Sequence, residues 1–267
     1  MNQTPLLNAS RTTKNPFLTV ALEAAKNAEE VITSYYNGDA MNVQLKADET
    51  PVTRADTEAE RVIRQTIKAA FPDHGFLGEE YGTQKGTSPY LWIIDPIDGT
   101  KNYIRKIPIF ATQLALMQEE RLILGVSNAP LLNELLYAAE GGGAFLNDEP
   151  ITVSDVASLS DAMICHGGLK WFTPKGVLPG MCELINETAR SRGFGDFYMH
   201  HLLASARADV VVEAAISIWD IAALSVIVQE AGGKVSDMQG RAITKDTASI
   251  VATNGRLHDA VLRYFVP

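Results

Sequence analysis

The sequence predicts an α/β protein with an α+β N-terminal half and an α/β C-terminal half. Apolar residues recur at helical spacing near the N-terminus, short apolar runs then follow one another as strands, and beyond residue 160 strands and helices alternate. This order implies a largely buried sheet with helices packed against it.

Residues 16–36 form the first helix, because Phe17, Val20, Ala21, Ala24, Ala28, Val31 and Ile32 fall on one face, and Asn37-Gly38 ends it. Residues 57–70 form the second, with Ala59, Val62, Ile63, Ile67 and Ala70 on one face, Asp56 at the N-cap position and Pro72 as the stop. Gly75-Phe76-Leu77-Gly78 is a strand end running into Glu79-Glu80. Residues 90–94 read as a buried strand ending at Asp95, 107–117 and 122–126 as two strands joined at Glu119-Glu120-Arg121, and 135–139 as another before the turn Gly141-Gly142-Gly143. The second half alternates: strands at 162–166, 192–194, 209–213 and 248–253, and helices near 175–190, 198–206, 220–231 and 257–264, with Gly232-Gly233 closing the third of these. A boundary between 150 and 160 divides the chain into residues 1–155 and 156–267, with no internal repeat, low-complexity tract or heptad run.

The chain has 267 residues, 46% of them hydrophobic and 21% charged, which is enough to bury a large core without disulfides. A net charge of −9 argues against nucleic acid as a partner. Two cysteines, Cys165 and Cys182, with no paired Cys/His spacing leave a reduced, cytoplasmic setting as the expectation. Residues 1–14 are polar and lack the apolar core of a signal peptide, and no apolar run is long enough to span a bilayer.

Acidic residues stand at the ends of elements: Asp56, Glu79, the pair Asp95 and Asp98, and Asp220. A strand end followed by Pro96-Ile97-Asp98-Gly99-Thr100 can aim two carboxylates at one point, with the Ile97 carbonyl between them. Hard oxygen donors of this kind suit magnesium rather than zinc or copper. Gly99 and Thr100 would offer backbone N–H groups to a phosphate if a helix or turn starts there. Two ions in such a site would activate a water and stabilise the leaving oxygen of an in-line displacement. Each residue also has a plainer explanation: Asp56 and Asp220 suit helix caps, Glu79-Glu80 suits a solvated turn, and Asp-Pro and Asp-Gly are common turn dipeptides.

The ensemble resembles the inositol-monophosphatase-like family of Mg²⁺-dependent phosphatases. The resemblance runs from about residue 46 to 262 through Pro51-Val52-Thr53-Arg54-Ala55-Asp56, Gly78-Glu79-Glu80, the stretch from Trp92 to Tyr103, Trp219-Asp220-Ile221-Ala222-Ala223, Glu230-Ala231-Gly232-Gly233 and Thr253-Asn254-Gly255. It implies a layered αβαβα sandwich, a homodimer, a small phosphate ester as substrate, and two or three Mg²⁺ per active site with lithium sensitivity. By motif, Glu79, Asp95 and the Ile97 carbonyl would hold the first ion, Asp95, Asp98 and Asp220 the second, and a third, weaker one would lie near Glu79. Thr100, hydrogen-bonded to Asp56, would orient the attacking water with help from Glu79, and Gly99 and Thr100 would bind the phosphate.

Three stretches resemble the histidinol-phosphatase branch: Lys101 to Thr112 with Arg105, Pro108 and Phe110; Arg192-Gly193-Phe194-Gly195-Asp196-Phe197; and Ile218 to Leu224. Lys106 departs from the glycine expected there. Asp196 and Glu213 would form a substrate pocket complementary to the ammonium and imidazole of histidinol phosphate. Asp196 could instead pair with Arg192 or cap a helix before Phe197. Inositol phosphate, another sugar phosphate, a nucleotide 3′-phosphate, or a catalytically silent metal-binding role are the competing expectations.

Overall fold

The computed structural model describes residues 15–38, 43–45 and 51–265. The polar stretch 1–14 and residues 46–50, where the resemblance begins, lie outside the described residues. Two helices, α1 (Pro16–Asn37) and α2 (Arg54–Ala70), precede an eight-stranded sheet. A short ladder of β1 (Val43–Leu45) and β2 (Pro51–Thr53) lies between them in sequence. The large sheet contains β3 (Gly75–Gly78), β4 (Gly82–Gln84), β5 (Tyr90–Asp98), β6 (Ala111–Gln118), β7 (Arg121–Ala129), β8 (Glu134–Ala139), β9 (Ala144–Leu146) and β10 (Glu149–Ile151). Its order is β10-β9-β8-β7-β6-β5-β3-β4, antiparallel except where β3 runs parallel to β5. A five-residue helix α3 (Thr100–Ile104) follows β5.

The second half builds a five-stranded sheet ordered β12-β11-β13-β15-β14 from β11 (Met163–His166), β12 (Arg190–Arg192), β13 (Val210–Ala214), β14 (Lys234–Ser236) and β15 (Ser249–Thr253). Helices α4 (Leu178–Glu187), α5 (Asp196–Ala204), α6 (Ile218–Glu230) and α7 (His258–Leu262) accompany it.

Side-chain alternation on the strands explains the layers. On β5, Trp92 and Ile94 face α1 and α2, whereas Ile93 faces the other way, into a core shared with α5 and α6. On β13, Val211 joins that same central core, whereas Val210 and Val212 pack with Met181 and Leu184 of α4 and Val261 of α7. The result is the α-β-α-β-α sandwich: α1 and α2, the large sheet, α5 and α6, the small sheet, then α4 and α7. Helix α6 is apolar nearly all round because it is covered by both sheets. It lies so close to the large sheet that a Cβ on Gly125 of β7 would stand 2.2 Å from the Ala223 carbonyl oxygen.

Several boundaries differ from the sequence expectation. The second helix begins at Arg54, not 57, and its N-cap is Thr53; Asp56 is the third helical residue, completing a capping box. Asp220 likewise sits one turn inside α6, whose N-cap is Ser217. The strand expected at 107–117 begins only at Ala111, because Lys106 adopts φ +60° and the Ile109 carbonyl accepts the Asn102 side chain. The strand expected at 192–194 lies at Arg190–Arg192, since the chain turns at Gly193 and Gly195 to start α5.

Candidate active site

Strand β5 supplies the centre. Its pairing with β6 loses register between Asp95 and Asp98, where Pro96 has no N–H to donate. Asp95 Oδ1 accepts the Ile97 N–H at 3.0 Å, Gln113 Nε2 of β6 donates to Asp98 Oδ2 at 3.4 Å, and Thr112 Oγ1 donates to the Pro96 carbonyl at 2.9 Å. Asp95, Ile97 and Asp98 are all buried. Gly99 then turns the chain at φ +89°, and a Cβ there would stand 2.9 Å from the Ile109 carbonyl oxygen. Thr100 opens α3, and the first N–H groups of a helix have no acceptor within it.

The partners arrive from other elements. The Glu79 N–H donates to the Ile94 carbonyl at 3.1 Å, which sets Glu79 beside the residue preceding Asp95. Asp56 on α2 accepts from the Thr53 backbone N–H at 2.8 Å and from Thr53 Oγ1 at 2.5 Å through Oδ2. Asp220 accepts the Ser217 N–H at 2.7 Å. Asp196 begins α5 at φ +51°, with its carboxylate on Asn102 Nδ2 at 3.1 Å. Glu213 on β13 lies against Gly167, whose missing Cβ leaves room: a Cβ there would stand 2.3 Å from Glu213 Oε1.

Electrostatics ties these groups into one neighbourhood. Burial, with repulsion from Glu79, Asp98, Asp220 and Asp56, holds the Asp95 carboxyl well above the ordinary range. Asp98 is raised by burial and by Asp196, Asp220, Glu213 and Glu79. Burial pushes Asp220 up to about 7 and Asp56 up to about 6, and Glu213 rises through burial and the Asp196 and Asp220 charges. Asp95 and Asp220 are close enough for each charge to act on the other, and a divalent cation between such carboxylates would relieve their repulsion.

The donors are all hard oxygens, with no imidazole or thiolate among them, so the set fits magnesium. Among the described residues, no three His, Cys, Asp or Glu side chains form a closed ligand cage; the carboxylates are neighbours rather than a finished shell. A magnesium ion held there by Asp95, Asp98, Glu79, Asp220 and the Ile97 carbonyl would supply positive charge against the phosphate and the developing charge of the leaving oxygen.

Two expectations are corrected. Thr100 Oγ1 donates to the Ile97 carbonyl at 3.0 Å rather than to Asp56; the Oδ2 of Asp56 serves the capping box, and its Oδ1 is a buried acceptor with no hydrogen-bond partner among the described residues. Asp196 neither caps α5, whose N-cap is Gly195, nor takes Arg192, which donates to the Ser191 carbonyl. Sequence reading assigned no role to Asn102, which lies in two of the quoted motif stretches, or to Gln113. Asn102 bridges the Ile109 carbonyl and Asp196, joining the Gly99-Thr100 loop to the second half of the chain. Its only signal was its place one residue past Lys101.

A layered fold with a buried carboxylate cluster at a strand bulge defines a class of ion-dependent hydrolases. The chain belongs to the inositol monophosphatase family, whose model matches residues 13–266. It is 39% identical over 242 residues to a histidinol-phosphatase of Chlorobaculum parvum, covering 91% of this chain and 93% of that protein. It is 40% identical over 213 residues to a fructose-1,6-bisphosphatase/inositol-1-monophosphatase of Thermotoga maritima, covering 79% and 81%. The solved structure of extragenic suppressor protein suhB from Bartonella henselae superposes with a TM-score of 0.88 at 31% identity, covering 94% of this chain and 98% of that one. The protein is a phosphoric monoester hydrolase. Among the described residues no helix is long and apolar enough to cross a membrane.

Proposed function

We propose that the chain hydrolyses histidinol phosphate to histidinol and phosphate with Mg²⁺ bound by Glu79, Asp95, the Ile97 carbonyl, Asp98 and Asp220. In this reaction Thr100, whose Oγ1 is held by the Ile97 carbonyl, orients the attacking water, Glu79 assists in removing its proton, and the Gly99 and Thr100 N–H groups hold the phosphate. The observation that carries the choice of alcohol is the placement of Asp196 and Glu213. Both carboxylates press electrostatically on Asp98, and no ester needs them for its phosphate half. An ammonium and a protonated imidazole would neutralise them; inositol is uncharged and would leave them repelling each other. The histidinol-phosphatase relative adds weight.

Replacing Asp196 tests it. Asp196→Ala should raise KM for histidinol phosphate about tenfold with little change in kcat, because the contact exists in ground and transition states alike. An unchanged KM would return Asp196 to a purely structural role. The family resemblance also supports a homodimer, which a sedimentation mass equal to the 29.0 kDa of one chain would contradict.

A further inference from the structure

We propose that Glu60 and Arg64 of α2 are positioning residues for Glu79: together they fix the turn that aims this carboxylate into the ion site. The inference rests on the reading of Glu79 as an ion-binding group. Glu60 is fully buried, at 0% exposure. Its Oε2 accepts the Glu80 N–H at 2.8 Å and its Oε1 the Tyr81 N–H at 3.4 Å. Glu60 Oε1 also accepts Arg64 Nε at 2.7 Å, and Arg64 Nη2 reaches on to the Gly82 carbonyl at 2.7 Å. One ion pair therefore grips the three residues that follow Glu79, while the Glu79 N–H itself is held by Ile94 on β5.

The surroundings are built for this grip. Gly78 makes room for it, since a Cβ there would stand 1.9 Å from Glu60 Oε1. The Arg64 guanidinium lies 5.2 Å from the Phe76 ring centroid and 5.7 Å from that of Tyr81. Strand β4 is three exposed residues at the edge of the large sheet. A buried carboxylate is stable only when its lone pairs are met by charge and N–H donors, and here the donors met are those of the turn. The same residues form the first structural support behind Glu79 in the way that outer hydrogen bonds orient metal-binding groups generally.

A cavity of about 310 Å³ opens beside Arg64, lined by Arg61, Gln65, Lys68, Tyr81 and Gln84 among others. It is large enough to admit a guanidinium ion, which makes chemical rescue possible. The test titrates Mn²⁺ into magnesium-free protein and reads the free-ion EPR signal, so that binding is measured apart from turnover. Arg64→Ala and Glu60→Gln should each weaken Mn²⁺ binding at least fivefold, and millimolar guanidinium should restore binding in Arg64→Ala alone. Lys68→Ala, in the same cavity, should bind as the wild type does. Should Glu60→Gln fail to fold, Arg64→Lys, which cannot span Glu60 and Gly82 together, takes its place with the same expected loss. Wild-type affinity in the folded Arg64 variants while Glu79→Gln binds weakly, or a loss that guanidinium does not restore, would overturn the proposal. Wild-type affinity in Glu79→Gln would instead show that the assignment of Glu79 is at fault, and the proposal would fall with it.

Discussion

Asp98 is buried beside Gln113, and burial with the charges of Asp196, Asp220, Glu213 and Glu79 disfavours its ionised form. Under the proposed function such a group would serve ion binding at the expense of the fold. Asp98→Asn should therefore lower phosphatase activity by about a hundredfold or more at saturating Mg²⁺. The same variant should raise the unfolding temperature of the magnesium-free protein at pH 7.5 by about 3 °C, the shift ~1 kcal/mol produces in a chain of this size. Retained activity, or a lowered unfolding temperature, would sink the assignment. Titration gives a second residue-scale expectation. Asp56 and Asp220 rise from the ordinary carboxyl value of 3.8 to about 6 and about 7 in the folded protein. The folded state thus holds more protons between pH 4 and 7, and without magnesium these groups make stability fall as pH rises through that window. His258, lowered by burial to about 4, works in the opposite direction over part of the range. It lies away from the ions, so the difference in unfolding temperature with and without Mg²⁺ isolates the carboxylates. That difference should grow from pH 4.5 to 7; a constant difference would contradict it. At this scale the sequence was most legible in a shared electrostatic neighbourhood: Glu79 and Asp220 act on both Asp95 and Asp98, and Asp56 on Asp95, without any three closing into an ion cage among the described residues. The Thr100 partner was not legible, because a hydroxyl chooses among acceptors that only the folded bulge creates. Lys106 illustrates the same limit. Its φ of +60° suits the glycine expected there, yet its ammonium lies over the Tyr36 ring, a contact between residues 70 positions apart that local pattern cannot reveal.

Elements were legible where periodicity ran long. Helix α1 and strand β8 fall close to the expected residues and β5, β6 and β7 overlap theirs, because their apolar faces repeat several times. Strands β4, β9, β10 and β14 have three residues each and offer no period to count, so they went unread. The starts of α2 and α6 were misplaced by the same cause: both Thr53 and Asp56, and both Ser217 and Asp220, are residue types that cap helices. The structure gives the cap to the hydroxyl residue and the third helical position to the acid. This is functionally sensible, since a carboxylate one turn inside the helix is held rigidly by its own backbone. Packing of α6 on the large sheet depends on one glycine. Gly125→Ala would drive a methyl group into the Ala223 carbonyl and should destabilise the protein by about 2–3 kcal/mol, read as the shift in denaturant midpoint. A neutral substitution would mean that α6 moves freely against β7.

At the scale of the whole molecule, the site forms where the end of β5, the start of α6, the end of β13 and the first turn of α2 meet. Each half of the chain contributes: the first brings the phosphate loop with Asp56 and Glu79, and the second brings Asp220, Asp196 and Glu213. The order of the layers could not be read from periodicity, since an apolar strand does not state which helix will cover it; family resemblance supplied that order. The chain carries a net charge of −9 and buries further carboxylates in its candidate site, so an anionic ester would bind there with cations reversing the local sign. Under the proposed function the ion-binding set would serve the phosphate half, and Asp196 and Glu213 the alcohol half. Comparing kcat/KM for histidinol phosphate and inositol 1-phosphate, in one preparation at saturating Mg²⁺, tests this division most directly. The account predicts at least a tenfold preference for histidinol phosphate; equal values, or a preference for inositol 1-phosphate, would contradict it.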